Sequence, residues 1–226
     1  MKKDWKALWE NKTYLFSWIF LLFLVLVTLK LACIFLAYNE SRISGVQLND
    51  IVLQYLPVSD VSTPLFAITW VCILTCLPVA LRTPKKSMVV FISILLMAVA
   101  RSLTLYLVPL QPPIDIIPLR DTFLEGSFYD NKVMVRDLFF SGHTANLALI
   151  FFLIEIKWIK VIVGICTFVV AFLLLKQHVH YTVDVVAAPF FAYAAYRVAR
   201  MLTEKILEFV LAPKNKKIGN HKSAIV

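Results

Sequence analysis

Six apolar runs, parted by short polar stretches, dominate this chain. They cover approximately Tyr14–Tyr38, Pro64–Leu81, Met88–Val108, Leu138–Ile156, Lys157–Lys176 and His180–Arg197. Most approach the roughly 20 residues a helix needs to cross the hydrocarbon of a bilayer. The fifth has a charge-free core of only Val161–Leu175, so its flanking lysines are expected to snorkel. Pro78 is expected to kink the second, which a membrane helix tolerates. The short alternating segments of a β-barrel do not occur. The pattern predicts an all-α fold, a six-span transmembrane helical bundle. Residues 1–13 form an interfacial N-terminal segment, 14–200 the membrane domain, and 201–226 a basic tail.

Composition agrees. Of the 226 residues 60% are hydrophobic, with only 5 glycines and a mean hydropathy of +0.79, far too apolar for a soluble domain. The length suits one bundle. Tyr14–Tyr38 is too long for a cleaved leader and reads as a signal anchor, with Trp5 and Trp9 set to lie at the interface. Cys33, Cys72, Cys76 and Cys166 all fall inside apolar runs, where cysteine packs as a small apolar side chain.

The net charge of +9 gives orientation instead of nucleic-acid binding, because the charges sit between and beyond the runs. With six crossings and a cytosolic N-terminus, 16 of the 23 basic residues fall on the cytosolic side. Both termini are then cytosolic, and His143, His180 and Asp184 gather near the exoplasmic or periplasmic face. Arg101 lies toward the same end of its run. The expected setting is a multi-pass integral membrane protein of a bacterial inner membrane or, in a eukaryote, of the Golgi or plasma membrane.

The candidate chemistry lies in polar interruptions of those runs. Ionisable groups at membrane depth are costly and mark functional sites. His180 and Asp184 are four residues apart, on one helix face if the sixth run begins at His180. A carboxylate on one ring nitrogen fixes the tautomer and leaves the other as base or nucleophile. His143, from another helix, supplies a partner acid. Ser141 and nearby amides at a helix start are suited to phosphate oxygens. Two histidines with opposed roles fit phosphoester cleavage and re-formation. A buried clasp or a proton relay is the plainer reading of a lone His–Asp pair. His178 reads as a loop residue.

The segments Asp137…Ser141-Gly142-His143-Thr144 and His180-Tyr181-Thr182-Val183-Asp184-Val185 resemble the sphingomyelin synthase family, within the type 2 phosphatidic acid phosphatase superfamily. Arg101-Ser102-Leu103-Thr104-Leu105-Tyr106, with prolines at 109, 112 and 113, is similar to that family's earlier motif. The similarity covers roughly Leu48 to Arg197. It implies a six-span fold with an exoplasmic site, catalytic roles for His143, His180 and Asp184, and substrate contacts from Arg101, Asp137, Ser141, Gly142 and Tyr181. Leu174 stands where the superfamily's phosphatases carry an arginine, and their Lys-x6-Arg-Pro element is absent. Val135-Arg136 replaces the family's Cys-Gly.

The activity expected is that of a lipid phosphotransferase. It would move a phospho-head-group from a phospholipid donor to a ceramide-like lipid acceptor, with no cofactor and no metal. The alternatives are a lipid phosphate phosphatase or phospholipase C-like hydrolase and, outside enzymes, a lipid-binding membrane protein or transporter. The outer segment between Pro109 and Asp137, rich in Ile114, Ile116, Ile117, Leu119, Phe123, Leu124 and Phe128, is expected to cover the site.

Overall fold

The structure, a computed structural model, describes residues 2–42, 44–119 and 134–211. Among these residues it is all-α, with eight helices. They are α1 (Lys2–Glu10), α2 (Lys12–Ser41), α3 (Ile51–Tyr55), α4 (Ser62–Ala80), α5 (Pro84–Leu107), α6 (Gly142–Leu153), α7 (Lys157–Lys176) and α8 (Thr182–Leu211). Phe123, Leu124 and Phe128 of the expected cover lie outside the described residues, as does the tail beyond Leu211.

Local chemistry sets the helix starts. Asn11 accepts from the amides of Thr13 and Tyr14 to begin α2, and Thr83 accepts from Lys86 with Pro84 in the first turn of α5. α5 is the centre of the molecule: it packs against α2 on one side and α8 on another, while α6 packs on α7 and α8. Met97, Phe140, Ala145, Ala148, Ala188 and Ala192 form the buried seam among α5, α6 and α8. The small side chains let the helix backbones approach closely, as membrane helices do. Around this core, Phe16, Phe23, Leu26, Trp158, Phe168 and Phe190 turn outward. An exposed apolar surface of that extent belongs against lipid, and the protein is an integral, multi-pass membrane protein.

The six-span bundle is not what forms. Among the described residues, four helices are long and apolar enough to cross a membrane: Lys12–Ser41, Ser62–Ala80, Pro84–Leu107 and Lys157–Lys176. Two of the expected spans fail for separate reasons. The fourth apolar run yields only the 12-residue α6, about 18 Å of helix at 1.5 Å per residue, against a hydrocarbon core near 30 Å. Ile154 takes an extended conformation and stops it, so Glu155 and Ile156 are not helical. The sixth run becomes the 30-residue α8, long enough but carrying Asp184, Pro189, Arg197, Arg200, Glu204, Lys205 and Glu208. The cytosolic placement of both termini and the exoplasmic placement of the site follow only from six crossings, and four long apolar helices among the described residues do not supply them.

Candidate active site

α8 does not begin at His180 but two residues later, and this shapes the site. Tyr181 is the last residue before the helix; its carbonyl accepts from the amides of Asp184 at 3.0 Å and Val185 at 3.3 Å. Asp184 reaches back so that Oδ2 accepts the Tyr181 amide at 3.0 Å. This is the acidic half of a capping box, favoured by the positive end of the helix. The same Oδ2 lies 3.5 Å from Nδ1 of His180, within ion-pair distance, although Nδ1 makes no hydrogen bond among the described residues. The His–Asp meeting expected from one helix face therefore comes from a helix cap. Asp184 is fully buried and His180 is 2% exposed. Among the described residues Asp184 Oδ1 has no hydrogen-bond partner.

The start of α6 is tied to this turn, since the Ser141 amide donates to the Asp184 carbonyl at 3.1 Å. Ser141 is itself buried, and its Oγ caps α6 by accepting from the Thr144 amide at 3.5 Å. Its hydroxyl is thus engaged in holding the helix start. His143, in the first turn of α6, sets its ring edge-on to Phe66 of α4 with centroids 5.8 Å apart.

Arg101 of α5 comes up beneath the same helix start. Its Nη2 pairs with Asp137 Oδ1 at 2.5 Å and its Nη1 donates to the Phe140 carbonyl. Gly142 gives the guanidinium its room: a Cβ at that position would sit 2.9 Å from Arg101 Cζ and push the guanidinium aside. A cavity of about 250 Å³ opens beside these groups, between α2, α5 and α6. Arg101, Asp137, Gly142 and His143 line one part of it, and Leu29, Leu36, Ile94 and Met97 line another. One polar patch inside an otherwise apolar cavity is the form of a site that orients an amphipathic ligand.

Tyr181 sits at the root of α8. It is 1% exposed, and its hydroxyl donates to the Gln111 carbonyl at 2.9 Å while accepting the Leu48 amide at 3.3 Å. It ties two loops to the root of α8, and burial pushes its phenol above the usual range. His178, with φ 55, is buried with Nε2 2.8 Å from the Leu56 carbonyl. Among the described residues no group of three or more His, Cys, Asp or Glu gathers as a metal-ligand set.

Three residues outside the motifs hold the site in place. Glu40 Oε2 accepts the amides of Val135 at 3.0 Å and Arg136 at 2.9 Å, and Asn39 Nδ2 donates to the Arg136 carbonyl at 2.9 Å. The end of α2 therefore grips the segment that delivers Asp137. Asp50 Oδ2 accepts the Thr182 amide at 2.6 Å. Nothing in the local sequence around Glu40 or Asp50 signals these contacts, which join residues 132 apart in the case of Asp50.

No curated protein matches this chain. Residues 136–201, which carry Asp137, Ser141, His143, His180 and Asp184, match the family model described as PAP2 superfamily C-terminal. Over this stretch the chain is similar to that family, and the His180–Asp184 contact at the start of α8 and His143 at the start of α6 both fall within it.

Proposed function

We propose that this protein is a lipid phosphotransferase of the sphingomyelin synthase type, transferring a phospho-head-group from a glycerophospholipid to a ceramide-like alcohol. The observation that carries the reading is the buried His180–Asp184 contact, tied through the Ser141–Asp184 backbone hydrogen bond to the start of α6, where His143 and Arg101 line a cavity. Asp184, 3.5 Å from Nδ1 of His180, orients the ring as substrate binds and balances the imidazolium, as the acid of a catalytic triad does. Nε2 of His180 attacks the phosphorus of the donor. The bond from phosphorus to the glycerol oxygen breaks, and His143 protonates that oxygen as diacylglycerol leaves. His143 then removes the proton from the acceptor hydroxyl, whose oxygen attacks phosphorus and breaks the P–N bond to His180. Arg101, steadied by Asp137, faces the phosphate oxygens with a fixed positive charge. Gly142 lets the guanidinium come close. The apolar part of the cavity receives the lipid body.

Transfer instead of hydrolysis is favoured by the surroundings of the nucleophile. A phosphorylated histidine survives for a lipid acceptor only where water is kept away, and His180 is almost wholly enclosed. Leu174 in place of the phosphatases' arginine points the same way. The test is product analysis by mass spectrometry of the purified protein with defined phospholipids, with and without ceramide. Donor consumption should rise on adding ceramide, with phospho-ceramide and diacylglycerol formed together. Equal consumption with and without acceptor, releasing only the free phospho-head-group or inorganic phosphate, would assign a hydrolase.

A further inference from the structure

We propose that Asp50 is a positioning residue for the His180–Asp184 pair, acting through the first turn of α8. This rests on the reading of that pair as the nucleophile and its orienting acid.

A helix start leaves its first amides without partners inside the helix. In α8 the amide of Tyr181 is taken by Asp184, and that of Thr182 is taken by Asp50 Oδ2 at 2.6 Å. Asp50 Oδ1 adds the Thr182 hydroxyl at 3.0 Å. The same Oδ1 accepts the amides of Val52 at 2.9 Å and Leu53 at 3.4 Å, so this carboxylate begins α3 as well. One acid thus fixes two helix starts against each other. The loop that carries it is anchored again two residues earlier, where the Leu48 amide donates to the Tyr181 hydroxyl.

The consequence falls on Asp184, the sole acidic residue in the first turn of α8. Its Oδ2 serves two partners, His180 and the Tyr181 amide, and its Oδ1 has no hydrogen-bond partner among the described residues. Without Asp50, the half-buried Thr182 amide and hydroxyl lose their acceptor. The carboxylate of Asp184 becomes the acceptor on hand within that turn. Drawn toward Thr182, it turns away from Nδ1 of His180. Asp50 therefore satisfies the helix start so that Asp184 remains available to the histidine.

The test compares full-length Asp50→Ala, Asp50→Asn and Asp60→Ala with wild type in lipid nanodiscs. Asp60 is the control, since it accepts the Ser62 amide at the start of another helix, α4, at 3.0 Å. Steady-state kinetics are read together with amide hydrogen–deuterium exchange. Asp50→Ala should lower kcat about 10-fold or more, the scale of a lost helix cap, with KM changed less than about twofold. Exchange should rise at 182–185 and stay unchanged in α4 and α7. Asp50→Asn keeps one acceptor oxygen and should retain more of kcat than Asp50→Ala. Asp60→Ala should leave kcat within about twofold of wild type, because its cap lies away from the histidines. Equal losses in Asp50→Ala and Asp60→Ala, a rise in exchange across all helices, or unchanged exchange at 182–185 would each overturn the proposal. Exchange needs no substrate, so it decides the role of Asp50 even if no lipid acceptor supports turnover.

Discussion

The two halves of the site are built to opposite specifications. At the start of α8, His180 and Asp184 are enclosed, and the amides of Tyr181 and Thr182 are taken by the carboxylates of Asp184 and Asp50. Around the start of α6, the side chains of Arg101 and Asp137 remain 17% and 30% exposed and line an open cavity. A group that makes and breaks bonds gains from a fixed orientation and from exclusion of water. A group that receives a ligand must be reachable. Under the proposed function the closed half makes the bonds and the open half, which His143 lines with Arg101, receives the ligand.

The sharpest way to break this division is to remove the histidines. His180→Ala and His143→Ala should each reduce kcat by about 10³-fold or more, as expected when a nucleophile or its acid is lost. Membrane insertion and thermal stability should persist. A His180→Ala protein that kept a tenth of wild-type turnover would end the assignment of that residue as nucleophile. Next in size is Asp184→Asn, expected to cost about 10²-fold in kcat through misorientation of His180. On the open side, Arg101→Ala should raise KM for the phospholipid as well as lower kcat, by about 10-fold overall, the loss of one charge-assisted contact. Gly142→Ala should act in the same sense as Arg101→Ala, because its Cβ would stand 2.9 Å from the guanidinium carbon. The smallest effect is expected for Tyr181→Phe. Deleting its hydroxyl removes the tie between Gln111 and Leu48 and should cost about 1 kcal/mol of stability, with kcat near wild type. A large kcat loss there would give Tyr181 a direct role in substrate binding.

Hydropathy located four helices well, because long charge-free runs leave the chain few other structures in lipid. It misread the other two runs, since a window average does not register where a helix starts and stops. Leu138–Phe140 are as apolar as the helix that follows, yet Ser141 caps α6 only after them, and Ile154 ends it in an extended conformation. At the second motif the spacing of His180 and Asp184 suggested one helical face. The contact instead comes from Asp184 folding back over the helix start. The motif residues were legible because ionisable groups stand out in apolar sequence. Glu40, Asp50 and Gln177 were not: each looks like an ordinary loop or helix-end residue until the fold joins it to distant backbone. Gln177, fully buried, accepts the Val61 amide at 3.1 Å and donates to the Ile117 carbonyl at 3.1 Å.

The division of labour is tested most directly by locating the covalent intermediate. Full-length protein in nanodiscs would be given a phospholipid radiolabelled at phosphorus, without acceptor, quenched within one turnover under alkaline conditions, and mapped by peptide. The label should appear on the peptide holding His180 and disappear when ceramide is added before the quench. Label on the peptide holding His143, or on neither histidine in protein that forms phospho-ceramide, would contradict the assignment of the closed half to bond-making.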